Sequence, residues 1–405
     1  MNKSRLKFIC KVHTGGTPKS SKEDFWGNDL IWYTPEDIGK SNKVLTDSKR
    51  KITYSGSDSS SAKIIKAPAI VMTTRAPVGN LGISYVDFTT NQGCKSLTLL
   101  KDGNINYVYY QLTLMKDWLN TISTGTTFLE LSTSKLKDVE IYYPIIETQN
   151  IICFYLNVKL SEIDLLIFLK EKQIKLLEEQ RQSMITEAVT KGLNPNVKMK
   201  DSGVEWIGEI PEHWGIYSLK RVLNIRNGKE IDSDSEIEEA EGSIPVYGSG
   251  GIFKWTNRKL YRGDSILFGR KGTIGKPIRV NGDFWTVDTM YYSIPKMKEA
   301  SGYLFYLLCI YPWKLISTNT AVPSIVGTEL GEQKICFPNS KQELRSIEMF
   351  LKNKDSEIKK LVLRIELQLV KLKEYRQSLI HEAVTGKIPI EEMESYLKEA
   401  EKDDN

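Results

Sequence analysis

The chain has 405 residues, 40% of them apolar and 26% charged, with a formal net charge of +5. That length allows two or three domains, each able to bury a core, while so mild a charge does not by itself establish a nucleic-acid partner. No run of about eighteen apolar residues occurs, and Met1-Asn-Lys-Ser4 lacks an apolar leader core. Neither a membrane span nor a secretory signal is expected, and the protein is read as cytoplasmic. Three histidines and five widely separated cysteines supply metal or histidine-nucleophile chemistry poorly, so the cysteines are expected as reduced core residues.

In chain order, residues 1–145 hold short β-rich runs such as Ala69-Ile-Val-Met72 and Leu97-Thr-Leu-Leu100, separated by Gly, Ser and Thr turns. Lys and Arg are dense between residues 40 and 66, seven against two acids. Residues 146–192 read as one long helix: Leu156, Ile163, Lys170, Leu177 and Met184 occupy d positions of a heptad, and Leu160, Ile167, Ile174, Arg181 and Ala188 occupy a positions. Residues 193–214, rich in Gly and Pro, are the expected linker. Residues 215–340 return to β-rich runs, with ten Lys or Arg against three acids between 251 and 298, preceded by seven carboxylates in 230–241. Residues 341–388 form a second helix, with d positions Leu351, Ile358, Ile365, Leu372 and Leu379 and a positions Val362, Leu369, Arg376 and Ala383. An acidic tail, 389–405, closes the chain.

The strongest signal is an internal repeat. Arg181-Gln-Ser-Met-Ile-Thr-Glu-Ala-Val-Thr190 recurs as Arg376-Gln-Ser-Leu-Ile-His-Glu-Ala-Val-Thr385, identical at eight of ten positions at an offset of 195 residues. Ser161-Glu-Ile163 and Ser356-Glu-Ile358 extend the match upstream, and Thr124-Gly-Thr126 finds Thr318-Asn-Thr320. One unit is half the chain, so the repeat is a duplicated domain plus helix. Two apolar seams in one register predict an antiparallel pair, and about forty residues at ~1.5 Å each make a rod on the order of 60 Å long.

These features resemble the specificity subunit of type I restriction-modification systems over nearly the full length. The resemblance rests on Gly15-Gly-Thr-Pro18, Trp26, Trp32-Tyr-Thr-Pro35, Thr90-Asn-Gln-Gly-Cys-Lys-Ser-Leu97, Gly125-Thr-Thr-Phe128 and Ile163-Asp164. It continues through Arg181 to Gly192, Met199-Lys-Asp-Ser-Gly203, Trp206-Ile-Gly-Glu-Ile-Pro211, Trp214, Val246-Tyr-Gly-Ser-Gly-Gly251 and Arg270-Lys-Gly-Thr-Ile-Gly275. It implies an α+β fold in which two pseudo-twofold-related target recognition domains are joined by two long antiparallel helices forming a coiled coil. It also implies double-stranded DNA, two modification (methyltransferase) subunits and restriction (ATP-driven translocase/nuclease) subunits as partners, with no membrane. No catalysis and no cofactor are expected on this chain; S-adenosylmethionine, ATP and Mg2+ belong to the partner subunits.

Each recognition domain would read half of a split target through side chains able to reach base edges and phosphates. The candidates are Lys40, Lys43, Arg75, Asn91, Gln92, Lys95 and Thr126 in the first half, and Lys254, Arg258, Lys259, Arg270, Lys271, Asn319 and Thr320 in the second. For each, a solvated surface or turn-stabilising role is the alternative. Tyr109-Tyr110, Tyr142-Tyr143 and Tyr291-Tyr292 are core or rim residues, or stack on distorted bases. Gly248-Ser-Gly-Gly251 lacks the context of a nucleotide loop and reads as a structural turn. On the helices, Arg181, Gln182, Glu187, Arg376, Gln377 and Glu382 would bond across the pair or to the modification subunits. A self-contained methyltransferase is disfavoured because the chain has no Pro-Pro dipeptide, and a nuclease because no Pro-Asp precedes Glu357-Ile-Lys359. A purely structural adaptor is the remaining alternative.

Overall fold

The two heptad segments form helices Ile146–Lys191 and Lys341–Thr385, the central and distal helices. The structure, a computed structural model, describes residues 2–40, 43–123, 130–318, 320 and 322–403. It divides into two compact units, Met1–Lys170 with Leu367–Asn405, and Glu171–Glu366.

In the first unit, strand β1 (Lys3–Arg5) pairs with β10 (Glu140–Tyr142). A five-stranded sheet runs β2 (Cys10–Thr14), β9 (Cys94–Leu99), β6 (Ala69–Thr73), β7 (Leu81–Ser84) and β4 (Val44–Leu45), and a three-stranded one runs β5 (Lys51–Ile52), β3 (Trp26–Tyr33) and β8 (Phe88–Thr90). The second unit adds a hairpin, β11 (Met199–Asp201) with β12 (Glu209–Pro211), and the pair β13 (Gly215–Ser218) with β21 (Lys334–Phe337). Its main sheet is seven-stranded: β14 (Leu223–Asn227), β20 (Met290–Pro295), β18 (Tyr261–Gly269), β19 (Gly275–Thr286), β16 (Ile244–Gly248), β17 (Gly251–Thr256) and β15 (Glu236–Ile237).

The two heads share one topology. The order β2-β9-β6-β7 is repeated as β14-β20-β18-β19, antiparallel throughout. β3 runs parallel to β8, and β16 runs parallel to the end of β19 through Val246↔Trp285. The twelve residues of β19 therefore do the work of both β7 and β8, which fuses the two sheets of the first head into one in the second. The crossing behind the first core strand needs glycine in both: a Cβ at Gly15 would lie 2.1 Å from the Asn91 carbonyl oxygen, and one at Gly228 2.0 Å from that of Val287.

Each head grips a helix end with a buried tyrosine. In the first unit the Tyr107 hydroxyl donates to the Val384 carbonyl (3.3 Å), which also accepts from Gln111 Nε2 (3.2 Å). In the second, the Tyr303 hydroxyl is 2.8 Å from both the Val189 and Cys336 carbonyls. Val189 and Val384 are counterparts in the repeated decapeptide.

Within each unit the helices pack antiparallel along the predicted seam. In the first, Leu156, Leu160 and Ile163 cluster with Leu379, Ile380 and Ala383; in the second, Ile185, Ala188 and Val189 cluster with Leu344, Ile347 and Leu351. The polar a positions close across the pair. Arg181 bonds Asp355, itself at an a position and absent from the heptad list drawn from sequence. Arg376 grips Asp164 with Nε at 2.8 Å and Nη2 at 3.3 Å. The two clamps are not copies: at the 195-residue offset Asp355 corresponds to Leu160, and Asp164 to Lys359.

Two expectations are corrected. Residues 193–214 are no bare linker, because β11 and β12 fold there and Ile207, Ile210 and Trp214 enter the core of the second unit. The acidic tail is helical over Ile390–Asp403, with Met393 buried against the central and distal helices of the first unit. All five cysteines are free, four of them buried, and no helix among the described residues is long and apolar enough to cross a membrane.

Asp355 is buried, which alone would push its carboxyl up, but hydrogen bonds from Lys359 and Arg181 hold it below the ordinary value. A carboxyl depressed in the fold contributes fully at neutral pH and loses that contribution as pH falls through the lowered value. Asp355→Leu, which strands Arg181, should cost about 1–3 kcal/mol in denaturant unfolding at pH 7. The Arg181→Leu, Asp355→Leu double substitution should recover most of that loss, and either variant should flatten the acid limb of stability against pH.

Candidate nucleic-acid interface

β6 and β18 are topological equivalents, and the chain leaves both in the same way. After β6, Thr74 N donates to the Gly93 carbonyl and Leu131 N donates to Thr74 O, each at 2.9 Å. After β18, Arg270 N donates to the Thr289 carbonyl and Ile325 N donates to Arg270 O, again each at 2.9 Å. One residue further, Arg75 bridges Glu130 and Lys271 bridges Ser324. Arg75 and Lys271 are thus counterparts, exposed at the same strand exit in each head.

Their surroundings suit exchange with a polyanion. Arg75 Nε donates to Glu130 Oε2 at 3.2 Å, and both side chains are nearly half exposed, so the pair is screened and contributes little in water. Arg270 is more constrained: its guanidinium lies 5.1 Å from the Tyr291 ring centre, and Nη1 donates to Asn227 Oδ1 at 2.9 Å. Its Nε is buried with no partner among the described residues. A planar fork held by a ring and an amide, with donors remaining, is suited to a phosphate or a guanine edge.

Other predicted residues fall into three groups. Asn91 Oδ1 accepts from Gly93 N (3.0 Å), and Gln92 Oε1 accepts from the Thr17 hydroxyl, so both brace the turn before β9. Thr320 is exposed, its hydroxyl donating to the Val322 carbonyl at 2.8 Å. In the second head the acidic stretch answers part of the basic one, Lys254 pairing with Glu236 and Arg258 with Asp232 at 3.0 Å, while Asp283, inside the basic stretch itself, lies 3.9 Å from Lys259. Arg279, also counted in that basic stretch, forks onto Asp264 and reaches Glu348 of the distal helix.

Two predicted contacts are corrected by burial. Lys95 is 4% exposed, and its Nζ donates to the Leu131 carbonyl at 2.7 Å; burial lowers its pKa, and the ammonium points inward. Lys43 donates to the Tyr110 hydroxyl (2.8 Å) and Asn157 Oδ1 (3.0 Å), tying its loop to the central helix, and burial pushes its pKa down to about 8. Thr126, Asn319 and the side chain of Lys40 lie outside the described residues.

Of the helix residues expected to bond across the pair or to the modification subunits, Arg181 and Arg376 bond across it, to Asp355 and Asp164. Glu382 accepts from the Ser378 hydroxyl one turn away (2.9 Å), whereas Gln182, Glu187 and Gln377 are exposed. Among the described residues no cluster of three or more His, Cys, Asp or Glu side chains could hold a metal ion. Sequence reasoning missed Asp355, Asn227 and the tyrosine grips. Asp355 was legible as an a-position residue; Asn227 and the tyrosines become functional only through tertiary contact.

The sequence model of the family described as type I restriction modification DNA specificity domain matches residues 1–179 and 211–369. The type I restriction enzyme MjaIX specificity subunit of Methanocaldococcus jannaschii is 29% identical over 96% of this chain and 94% of its own length. The EcoprrI specificity subunit of Escherichia coli is 21% identical over 84% of each. Among solved structures, a chain from a study of complex assembly and conformational transition of the type I R-M system superposes with a TM-score of 0.74 at 16% identity, over 96% of this chain and 98% of that one. The HsdS subunit from Thermoanaerobacter tengcongensis gives a TM-score of 0.50 at 16% identity, over 96% and 97%.

Lys95→Met should lower stability by about 1–3 kcal/mol, by orphaning a buried carbonyl, while leaving the salt dependence of DNA affinity unchanged. Arg75→Ala and Lys271→Ala should do the reverse, each reducing the slope of log affinity against log salt by about 1 if the cation meets a phosphate.

Proposed function

This chain belongs to the type I restriction-modification DNA specificity family, and from that premise we propose that each head reads one half of a split duplex target. The observation that carries this reading is the duplicated strand exit, which presents Arg75 in one head and Arg270-Lys271 in the other. Two readers on one chain address two half-sites as a symmetric dimer does, but without requiring the half-sites to match. The fused seven-stranded sheet and Arg270, which has no basic counterpart at Thr74, support different base preferences in the two heads.

The long helices set the distance between half-sites and receive two modification subunits. Methyl transfer and cleavage are carried by the modification and restriction subunits with S-adenosylmethionine, ATP and Mg2+, and this chain contributes recognition alone. Supporting that division, among the described residues the cysteines are buried or half-buried with thiols pushed up by burial. Such thiols are poor nucleophiles.

The test is co-expression with a cognate modification subunit, followed by genome-wide mapping of methylated sites. A split motif with a fixed gap is expected. Arg75→Ala should relax only one half of that motif and an Arg270→Ala, Lys271→Ala pair only the other; relaxation of both halves by either variant refutes the modular reading. Methyl transfer by this chain alone would refute the absence of catalysis.

A further inference from the structure

The run Lys49-Arg50-Lys51 of the first head carries three adjacent cations with different fates. Lys49 Nζ lies 3.5 Å from Glu36 Oε1, and Lys51 Nζ lies 2.9 Å from Asp47 Oδ1. Arg50, between them, is exposed and pairs with no carboxylate among the described residues. Its guanidinium carbon lies instead 3.6 Å from the centre of the Trp26 ring and 5.5 Å from that of Trp32. A guanidinium turned edge-on at the shorter distance would drive a nitrogen into the indole, so the fork lies flat on Trp26.

The fold prepares this stack. A register shift sets both Trp26 and Leu30 opposite Ile52, so Trp26 lies beside β5, which Arg50 immediately precedes. The Ser48 hydroxyl accepts from Trp32 N at 3.1 Å and donates to the Arg50 carbonyl at 2.7 Å, which fixes the backbone beneath the fork. Trp26 and Trp32 meet edge-on with ring centres 5.2 Å apart, and Trp32 Nε1 donates to the Gly16 carbonyl at 3.0 Å. The next residue, Thr17, bonds Gln92, in the turn whose Gly93 carbonyl receives Thr74 N at the β6 exit. A continuous chain of contacts therefore links Arg50 to the exit that presents Arg75. That exit has no braced fork of its own. Thr74, the counterpart of Arg270, is fully buried with its hydroxyl donating to the Gly93 carbonyl at 3.2 Å, and Arg75 shares an exposed pair with Glu130.

Resting on the reading that this head addresses one half of a duplex target, we infer that Arg50 reads a guanine in that half. A phosphate contact asks only for a cation within reach, which exposed Lys49 and Lys63 supply as well. Reading a base asks for the plane and direction of the donors to be set in advance. Stacking occupies a face of the guanidinium and leaves its edge, whose paired N–H groups match the O6 and N7 acceptors of guanine in the major groove. Adenine offers one acceptor beside a donor there, thymine one acceptor and cytosine a donor, so guanine alone takes both arms of the fork.

The full chain assembled with a cognate modification subunit gives the test, its methylation motif being mapped for the wild type, Arg50→Lys, Arg50→Ala and Lys49→Ala. At one guanine position of one half-site, preference for guanine should fall at least about fivefold in both Arg50 variants, since lysine keeps the charge without the fork. Lys49→Ala should keep the motif. Duplex titrations then place 7-deazaguanine, which lacks the N7 acceptor, at each guanine of the motif in turn. The wild type should lose at least about tenfold in affinity at that position, and Arg50→Ala should lose nothing further there. Thermal melts keep loss of fold apart from loss of reading. A motif unchanged in both Arg50 variants, full rescue by lysine, equal relaxation by Lys49→Ala, or a 7-deazaguanine penalty that persists without Arg50 overturns the assignment. A wild-type motif that is not split defeats the half-site reading, while the 7-deazaguanine titration still decides whether Arg50 reads a guanine.

Discussion

The register of the antiparallel helices is the constraint on which the rest depends. An apolar seam alone tolerates slippage, because one heptad of leucine and isoleucine resembles the next. Here the seam is pinned by polar contacts that have one solution each, buried at the two tyrosines and at Asp355 and partly exposed at the Arg376–Asp164 pair. The Val189 carbonyl must meet Tyr303, the Val384 carbonyl must meet Tyr107, and the arginines at a positions must meet Asp355 and Asp164. Sliding either helix by a heptad would leave a buried phenol and a buried carboxylate without partners, a penalty of several kcal/mol in total. The central helix thus begins among the core residues of the first unit and ends among those of the second, so one element is held at each end by contacts of the same kind.

Charge plays a quieter part than its distribution along the chain suggests. The basic stretch of the second head is answered at close range by Asp232, Glu236, Asp264 and Asp283. A head covered in unpaired lysine would bind any duplex through counterion release. Lys254, Arg258, Lys259, Arg262 and Arg279, half of the ten cations of that stretch, are paired with carboxylates, whereas Arg270 is braced by Tyr291 and Asn227 instead.

The repeat, the helix limits and the heptad seam were legible in sequence because they are periodic or duplicated, and periodicity survives without knowledge of tertiary contact. The candidate interface was only partly legible. Lys95 sits in a run of turn and strand residues that gives no sign of burial, yet the neighbouring chain folds over it and supplies the Leu131 carbonyl. Lys43 likewise looks like a surface lysine until Tyr110 and Asn157 come within reach. The equivalence of Arg75 with Lys271 is carried by hydrogen-bond topology, since the flanking residues of the two heads share almost no identity. Composition misled at the chain end, where a dense acidic segment still places Met393, Tyr396 and Leu397 on one face at helical spacing.

Duplication explains why the two halves are alike, and the departures from it show where the chain was free to diverge. The clamps pair the same arginine of the repeat with carboxylates on different turns, so the electrostatic requirement was met twice by separate substitutions: Asp355 stands where the repeat has Leu160, and Asp164 where it has Lys359. The tyrosine grips kept their chemistry because a buried carbonyl at a helix end admits few substitutes. The heads, by contrast, changed sheet continuity, loop charge and the residue before the exposed cation. Joints that match between the halves while the loops differ are what the proposed reading of a split target needs, since a change in one loop would then leave the paired helices and the other head as they are.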